Sequence, residues 1–125
     1  MIHFDTHVLV WVVKRRGPQF PAVVRRLLAS TQPRAVSPMV EFELDVLFDS
    51  GKLDQAPDDI LRVARDELGA SLSTTPFADI IKAARTFAWT RDPFDRLIVA
   101  NAMADGARLL TADETIRRHF KDAVW

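Results

Sequence analysis

Short apolar segments alternate along the chain with longer segments in which apolar residues recur at helical spacing. The short segments are residues 2–4, 35–36 and 107–111, and the Ser/Thr-rich residues 71–76 are a further candidate strand. Brief apolar runs bounded by turn residues are typical of buried strands, whereas a period of three to four residues indicates helices. The alternation predicts an α/β fold with a central, short parallel sheet of about four strands, flanked by helices on both faces.

Capping residues and helix breakers set the expected ends of the helices. Thr6 is predicted to cap the first helix and Ser37 the third. Asp92 is predicted to cap the helix ahead of the last strand, with Pro93 at its first position. These three helices are expected to end near residues 16, 50 and 105, and the others are expected at residues 21–29, 57–68, 77–89 and 115–120.

Composition is that of a one-domain protein. The 125 residues suffice for one core, 48% of them are hydrophobic, and the formal net charge is zero, which argues against a strongly basic nucleic-acid binder. The absence of cysteine excludes a disulfide framework, a thiolate metal site and a thiol nucleophile. Neither a signal peptide nor a membrane-spanning run is read, so a cytoplasmic location without membrane contact is expected.

Acidic residues follow the ends of the predicted strands. Asp5 ends the first strand, Asp113 follows the last strand by two residues, and Asp92 and Asp95 open the helix that leads into that strand. Because the carboxyl ends of parallel strands meet at one edge of a sheet, we expect these side chains to face one pocket.

The third helix adds at most one carboxylate to that pocket. Glu41 and Glu43 are two positions apart, a rotation of roughly 200°, so they cannot share a helix face. Gathering three or four carboxylates costs several kcal/mol in repulsion and lost hydration unless something offsets it. A divalent cation offsets that cost, and a ligand set made only of oxygen favours Mg²⁺ or Mn²⁺.

A simpler interpretation of residues 91–96 requires no ligand. Asp92 would cap the helix, Asp95 would favour its positive end, and Arg91 and Arg96 would pair with the two acids. On these residues alone, a plain helix start and a part of a cation site both remain open.

Three segments of the sequence resemble a known family. "FDTHVLVW" at 4–11, "SPMVEFELDVLFDSGKL" at 37–53 and "RDPFDRLIVANAMADGARLLTADE" at 91–114 are similar, in this order, to the acidic segments of PIN-domain ribonucleases of the VapC toxin type. The resemblance spans nearly the whole chain, and the segment 91–114 is its most specific part. The family's Glu precedes "GKL" by eight residues, which selects Glu43, and Thr90 departs from the His that close relatives often have.

The resemblance implies one PIN-like domain over residues 1–125, acting as a metal-dependent endoribonuclease and as the toxin of a toxin–antitoxin pair. Carried over by position, the family's acidic quartet falls on Asp5, Glu43, Asp95 and Asp113. Three of the four, Asp5, Asp95 and Asp113, would be the principal ligands of Mg²⁺ or Mn²⁺. Glu43 would bind the metal through water or hold the attacking water. The accessory residues would be Asp92, Thr6 and Thr111.

Basic residues near the acidic segments are candidates for contact with RNA. Arg117 and Arg118 follow Asp113 closely and are the preferred pair, while Arg91 and Arg96 are weaker candidates. The resemblance also implies an RNA substrate, a small cognate antitoxin that blocks the active site, and a homodimer.

Histidines and aromatic residues outside these segments are expected to have structural roles. His3 is expected to be a structural strand residue, His7 to make a local hydrogen bond and His119 to be exposed. Helical spacing predicts that Trp11 and Phe42 lie in the core before any stacking on bases.

Two other functions fit the same residues. The first is a metal-dependent DNA nuclease or phosphatase that uses the same acids, although the lack of an Asp-x-Asp pair at residues 5–7 disfavours an aspartyl-phosphate phosphatase. The second is a non-catalytic protein-binding domain whose acids only cap helices. Specific binding of Mg²⁺ or Mn²⁺ would distinguish an enzyme from such a domain.

Overall fold

The computed structural model describes residues 1–125 and contains one sheet of five strands, in which every neighbouring pair is parallel. The strand order is β3-β2-β1-β4-β5. The strands are β1 (Ile2–Phe4), β2 (Arg34–Val36), β3 (Ala70–Leu72), β4 (Arg108–Leu110) and β5 (Ala123–Val124). The predicted α/β class with a parallel sheet is therefore confirmed.

Seven helices accompany the sheet. Their bounds are α1 (Thr6–Lys14), α2 (Ala22–Ala29), α3 (Pro38–Asp49), α4 (Pro57–Leu68), α5 (Phe77–Ala84), α6 (Pro93–Ala104) and α7 (Glu114–His119). No helix is both long and apolar enough to cross a membrane.

The central position of β1 decides where the acids lie. β1 pairs with β2 on one side and with β4 on the other, and Phe4 lies opposite Leu110. The backbone N–H of Asp5 then donates to the carbonyl of Leu110 at 2.9 Å. Asp5 and Thr111 therefore leave the sheet side by side at its carboxyl edge, as expected for adjacent parallel strands.

The core lies between the central strands and the helices packed on them. Ile2, Phe4, Leu109 and Leu110 are fully buried, and burying each such side chain stabilises the fold by roughly 1.5–3 kcal/mol. Residues 98–102 of α6 are all buried. This burial explains why α6 is apolar on nearly all sides of its middle turns. Because these turns are packed in the core, they also fix the position of the first turn relative to the sheet.

A buried polar cluster lies at the other end of α6 from Asp92 and Asp95. His3 Nε2 is 2.7 Å from Oδ2 of Asp105, to which the hydroxyl of Ser73 also donates at 2.9 Å. The hydroxyl of Thr75 donates to the second oxygen of Asp105. This arrangement agrees with the structural role expected for His3, because it joins β1 to the end of α6 and to the segment after β3.

Several predicted helix ends differ from the structure. Asp5, not Thr6, caps α1, because its carboxylate accepts from the Thr6 N–H and Thr6 is already helical. Pro21 is the residue before α2 and not its first residue. The helix predicted over 77–89 ends at Ala84, and α7 covers Glu114–His119 where residues 115–120 were expected. Residues 87 and 89 are aromatic and pack on each other outside the helix, which imitates helical periodicity in the sequence.

Two strand predictions also need correction. The Ser/Thr-rich strand expected at 71–76 is β3 at Ala70–Leu72. The fifth strand, β5, was not predicted, because two residues at the end of the sequence carry no periodic signal.

Candidate active site

Asp5 is the most buried carboxylate at the carboxyl edge of the sheet. It is only 4% exposed. Its Oδ1 accepts a hydrogen bond from the Thr6 N–H at 2.8 Å, and its Oδ2 accepts one from the Thr111 hydroxyl at 2.6 Å. Because both oxygens are held by donors from different elements, the orientation of the carboxylate is fixed by the fold.

Glu43 reaches the same edge from α3. The hydroxyl of Thr6 donates to its Oε1, which ties α3 to the start of α1. Burial raises the pKa of Glu43, and the nearby charges of Asp5 and Asp92 raise it further, against the opposing effect of the Thr6 hydrogen bond. The structure thus brings Glu43 to Asp5.

Asp92 and Asp95 occupy the first turn of α6, as the sequence predicted. Asp92 is the N-cap, Pro93 follows it, and Oδ1 of Asp92 accepts from the Asp95 N–H at 3.1 Å. The carboxylate of Asp95 itself accepts no hydrogen bond.

Asp95 is the carboxyl group on which the other acids converge electrostatically. Burial raises its pKa to about 7, and the charges of Asp92, Asp5, Asp113 and Glu43, in that order, contribute to the rise. The structure therefore brings Asp5, Glu43, Asp95 and Asp113, the four residues of the expected quartet, near one another and near Asp92. We call these five carboxylates the acidic group.

Asp113 is held by the loop that follows β4. Its Oδ1 accepts from the Ile116 N–H at 3.0 Å, so it caps α7. Its own N–H donates to Oγ1 of Thr111 at 3.1 Å. The hydroxyl of Thr111 therefore touches both Asp5 and the backbone of Asp113, which gives this residue a positioning role between two acids.

His7 makes a long-range contact that the sequence did not predict. Its Nε2 accepts from the Ala112 N–H at 3.1 Å, and its Nδ1 is 3.5 Å from Oδ2 of Asp5. The ring also packs edge-on against Trp11, with centroids 4.9 Å apart. The expected local hydrogen bond is thus replaced by one that joins α1 to the loop after β4. Only the closeness of His7 to Asp5 in sequence hinted at it.

The donor chemistry of this group fits a hard divalent cation. All five carboxylates supply oxygen alone, and Asp95 has an elevated pKa and no hydrogen-bond donor of its own. In this structure no three acidic or imidazole side chains stand close enough together to hold a metal ion. Asp5, Glu43, Asp92 and Asp113 each accept a hydrogen bond from the protein, whereas the carboxylate of Asp95 accepts none.

Arg91 and Arg96 do not pair with the acids beside them, contrary to the simpler interpretation of this segment. Every ion pair of the structure uses other cations. Arg96 instead donates from Nε to the carbonyl of Ala84 at 3.0 Å. Arg117 and Arg118 are exposed on α7, on the helix that Asp113 caps.

Phe42 is not a core residue as predicted. It is 49% exposed on α3 and packs edge-on against Phe94, with ring centroids 5.8 Å apart. Phe94 is partly buried. Trp11 is also partly buried, and it packs against the core. An aromatic pair thus lies next to Glu43 and Asp95, on residues adjacent to them in the chain.

Comparison with known proteins identifies the family. The sequence model described as "PIN domain" matches residues 2–121. Among solved structures, the chain is similar to VapBC2 from Rickettsia felis bound to a DNA fragment from their promoter, with 19% sequence identity and a TM-score of 0.66. The match covers 99% of this chain and 96% of that chain, so the two share a fold over their whole length. No curated protein sequence matches this chain.

Proposed function

The chain belongs to the PIN-domain family, and on that premise we propose that it is a metal-dependent endoribonuclease, the toxin of a toxin–antitoxin pair. Nuclease activity is what membership of this family implies. Cleavage of RNA and dependence on Mg²⁺ or Mn²⁺ are the further steps of the proposal.

One observation carries the proposal: the carboxyl group of Asp95 has a pKa raised to about 7 among four other carboxylates and accepts no hydrogen bond. A helix-capping role does not require this arrangement, because Asp92 already caps α6. Burial, and then repulsion from the other acids, disfavours the ionised form of Asp95, and a carboxyl group with so strongly raised a pKa is typical of functional sites. A bound cation would offset that repulsion.

Asp5, Asp95 and Asp113 would hold the ion in this proposal. When bound, a divalent cation supplies a nucleophilic water and stabilises negative charge on a scissile phosphate. Glu43 would hold a water or contact the ion through one. Thr111 would orient Asp5, and His7 would hold the loop that carries Asp113 through its hydrogen bond to that loop. Thr6 would orient Glu43.

A toxin role and an antitoxin partner are supported by the resemblance of the sequence to toxins of the VapC type, together with the shared fold with VapBC2. A partner segment that carries an arginine into the acidic group would form charge-assisted hydrogen bonds there and block substrate. A cytoplasmic location would follow from such a role.

A homodimer is supported by an apolar surface of α3. Phe42 and Val46 are 49% and 41% exposed and lie four positions apart on α3, so they share one face of the helix. Contiguous exposed apolar area of this kind marks association sites. These residues therefore favour α3 as the surface for association.

The test is RNA cleavage by the purified protein with and without Mg²⁺ or Mn²⁺. We expect cleavage by the wild type only with metal, and none by Asp95→Asn at any metal concentration. The exposed Asp122→Asn is the matched control, because it loses the same charge outside the acidic group. Sequencing of RNA 5′ ends after brief expression would then identify the target.

The alternatives give different results in the same experiment. If the protein is a DNA nuclease or a phosphatase, the wild type would cleave DNA or a phosphomonoester and leave RNA intact. Asp95→Asn would then lose that activity. A non-catalytic binding domain would show no calorimetric signal for Mn²⁺ in either the wild type or Asp5→Asn. Metal-dependent RNA cleavage that survives Asp95→Asn would contradict the assignment of the site.

A further inference from the structure

A basic cavity lies beside the acidic group. It has a volume of about 370 Å³ and opens between the end of α5 and the start of α6. Arg85, Arg91 and Arg96 line it, over apolar contacts from Ile81 and Leu97. Three guanidinium groups around one cavity produce a local positive potential, which attracts anions most strongly at low salt.

None of these three arginines has a carboxylate partner. Arg15, Arg62 and Arg65 are the arginines of this protein that lie within 4 Å of an acid, and none of them is at this cavity. Arg91 and Arg96 also flank the N-terminus of α6, the positive end of the helix dipole, where cations are unfavourable. A cluster of unpaired cations at this position costs stability unless an anion binds there.

Arg96 is already held in place at the cavity. Its Nε donates to the carbonyl of Ala84, the last residue of α5, at 3.0 Å. Its guanidinium carbon lies 5.9 Å from the centre of the Phe87 ring. These contacts use one of its donors and one of its faces, so the terminal nitrogens remain free to bind an anion in a fixed geometry.

The first turn of α6 separates the basic cavity from the acidic group. Asp95 and Arg96 are consecutive, about 100° apart around the helix, so they face neighbouring sides of it. A helix with its side chains is about 10–12 Å across. A nucleic-acid strand that crosses this turn can therefore place one phosphate at the acids and another, a few nucleotides away, at the arginines.

We propose that the cavity lined by Arg85, Arg91 and Arg96 binds a backbone phosphate of the RNA strand, flanking the phosphate that is cleaved. This subsite rests on the proposed ribonuclease function and specifies how the substrate is held. Five carboxylates repel a polyanionic strand, and three unpaired arginines one helix turn away offset that repulsion. Guanidinium groups match the oxygens of a phosphodiester, and contacts to phosphate carry no sequence information, so the subsite holds RNA of any sequence.

Binding is measured without cleavage, by fluorescence anisotropy of a labelled single-stranded oligoribonucleotide in EDTA at several salt concentrations. The variants are Arg85→Gln and Arg91→Gln, whose side chains are exposed. Arg108→Gln is the matched control, because Arg108 is also exposed and unpaired but begins β4 at the opposite edge of the sheet. Melting curves check that each variant is folded.

We expect each cavity variant to bind RNA about tenfold more weakly, the effect of losing one charge-assisted hydrogen bond. The slope of log K against log salt should fall by about 0.7 for each lost phosphate contact to a single strand. Arg85→Lys should keep the slope, since the charge remains, and Arg108→Gln should match the wild type.

Cavity variants that retain wild-type affinity and salt slope would overturn the subsite. So would a dependence on Arg85 and Arg91 that appears with polyglutamate, as a model of an acidic peptide, but not with RNA. The proposed function fails separately, if RNA cleavage persists in Asp95→Asn. Binding in EDTA does not involve that step, so the two results are distinguishable.

Discussion

The hydroxyl of Thr111 donates a 2.6 Å hydrogen bond to Oδ2 of Asp5, although 106 positions separate the two residues in the chain. The same hydroxyl accepts from the N–H of Asp113 at 3.1 Å. A single buried side chain after β4 thus orients the carboxylate after β1 and holds the loop that carries a second acid. The pairing of β1 with β4 is what brings these groups together.

Thr111→Val removes this hydroxyl with little change in volume. We expect the free energy of unfolding to fall by about 1–3 kcal/mol, because Asp5 keeps a buried oxygen without its donor. RNA cleavage should fall about 10- to 100-fold, the usual effect of removing a group that orients a metal ligand. Thr111→Ser, which retains the hydroxyl, should recover most of both losses. Urea denaturation and cleavage rates would check this, and equal effects of Val and Ser would contradict it.

The positions of most acids could be predicted from the sequence, because parallel strands place their following residues at one edge. The predicted positions of Asp5 and Asp113 follow from that rule alone. Those of Asp92 and Asp95 follow from the recognisable start of α6. The choice of Glu43 over Glu41 came from a family resemblance, since helical rotation alone excludes only that both face the pocket. The contact of the Thr6 hydroxyl with Glu43 is the structural reason for that choice.

What the sequence could not predict depends on contacts between distant residues. The bond between His7 and the Ala112 N–H crosses 105 positions and leaves no periodic signal. Phe42 has the spacing of a core residue, but its exposure depends on what α3 packs against. The basic cavity was missed for the same reason, since Arg85 becomes a neighbour of Arg91 and Arg96 only when α5 packs on α6.

Metal binding should stabilise the folded protein. Because the proposed ion would bind the acidic group only when the fold is intact, Mn²⁺ at 100 times its dissociation constant should add about 2.7 kcal/mol to the free energy of unfolding. We expect the gain to shrink below pH 7, where protons compete for Asp95, whose pKa is raised to about 7. Melting temperatures with and without Mn²⁺ at pH 6 and pH 8 would measure this. Asp5→Asn should abolish the shift, and an equal shift in this variant would argue against the site.

His3 should make stability fall as the solution becomes acidic. Burial lowers the pKa of His3, so the folded state keeps this residue neutral while the unfolded chain takes up a proton below about pH 6.5. The stabilisation that neutral His3 contributes is therefore fully present above pH 6.5. As the pH falls below that value, the free energy of unfolding decreases by at most about 1.4 kcal/mol per pH unit.

The contribution of His3 is isolated by comparing His3→Leu with the wild type in urea denaturation between pH 5 and pH 7.5. Glu43 and Asp95 have raised pKa values and contribute with the opposite sign in this range, so the difference between the two proteins is the relevant quantity. We expect the variant to lack the loss below pH 6.5. His119→Leu, at an exposed position, is the control and should behave as the wild type.

Self-association should depend on the exposed residues of α3. Phe42→Asp places a charge in that surface, and we expect the proposed dimer to dissociate with a binding constant weakened at least about tenfold. Phe77→Asp is the control, because Phe77 is even more exposed but lies on α5. Sedimentation equilibrium of both variants tests this. A dimer lost in Phe77→Asp and kept in Phe42→Asp would move the interface to α5.

Asp92 and Asp95, three residues apart, should respond differently to the same substitution. The pKa of Asp95 is raised to about 7 by burial and by the acids around it, so its folded form holds a proton that the unfolded chain releases near pH 4. Protonated Asp95 therefore favours folding at low pH, and that stability is lost as pH rises from about 4 through 7. Asp95→Asn removes the charge, so the variant does not lose this stability as the pH rises.

In metal-free solution we therefore expect Asp95→Asn to be more stable than the wild type by about 1–2 kcal/mol at pH 8, after allowing for partial exposure, and equally stable near pH 4. It should not cleave RNA. Asp92→Asn should change both stability and cleavage less than Asp95→Asn does, because Asn also caps helices and Asp92 is only one of the charges around Asp95. Urea denaturation in EDTA across pH 4–8 and cleavage assays would measure both. If Asp95→Asn were less stable than the wild type at pH 8, the carboxylate would be a structural group of the helix start and the repulsion among the acids would have been misjudged.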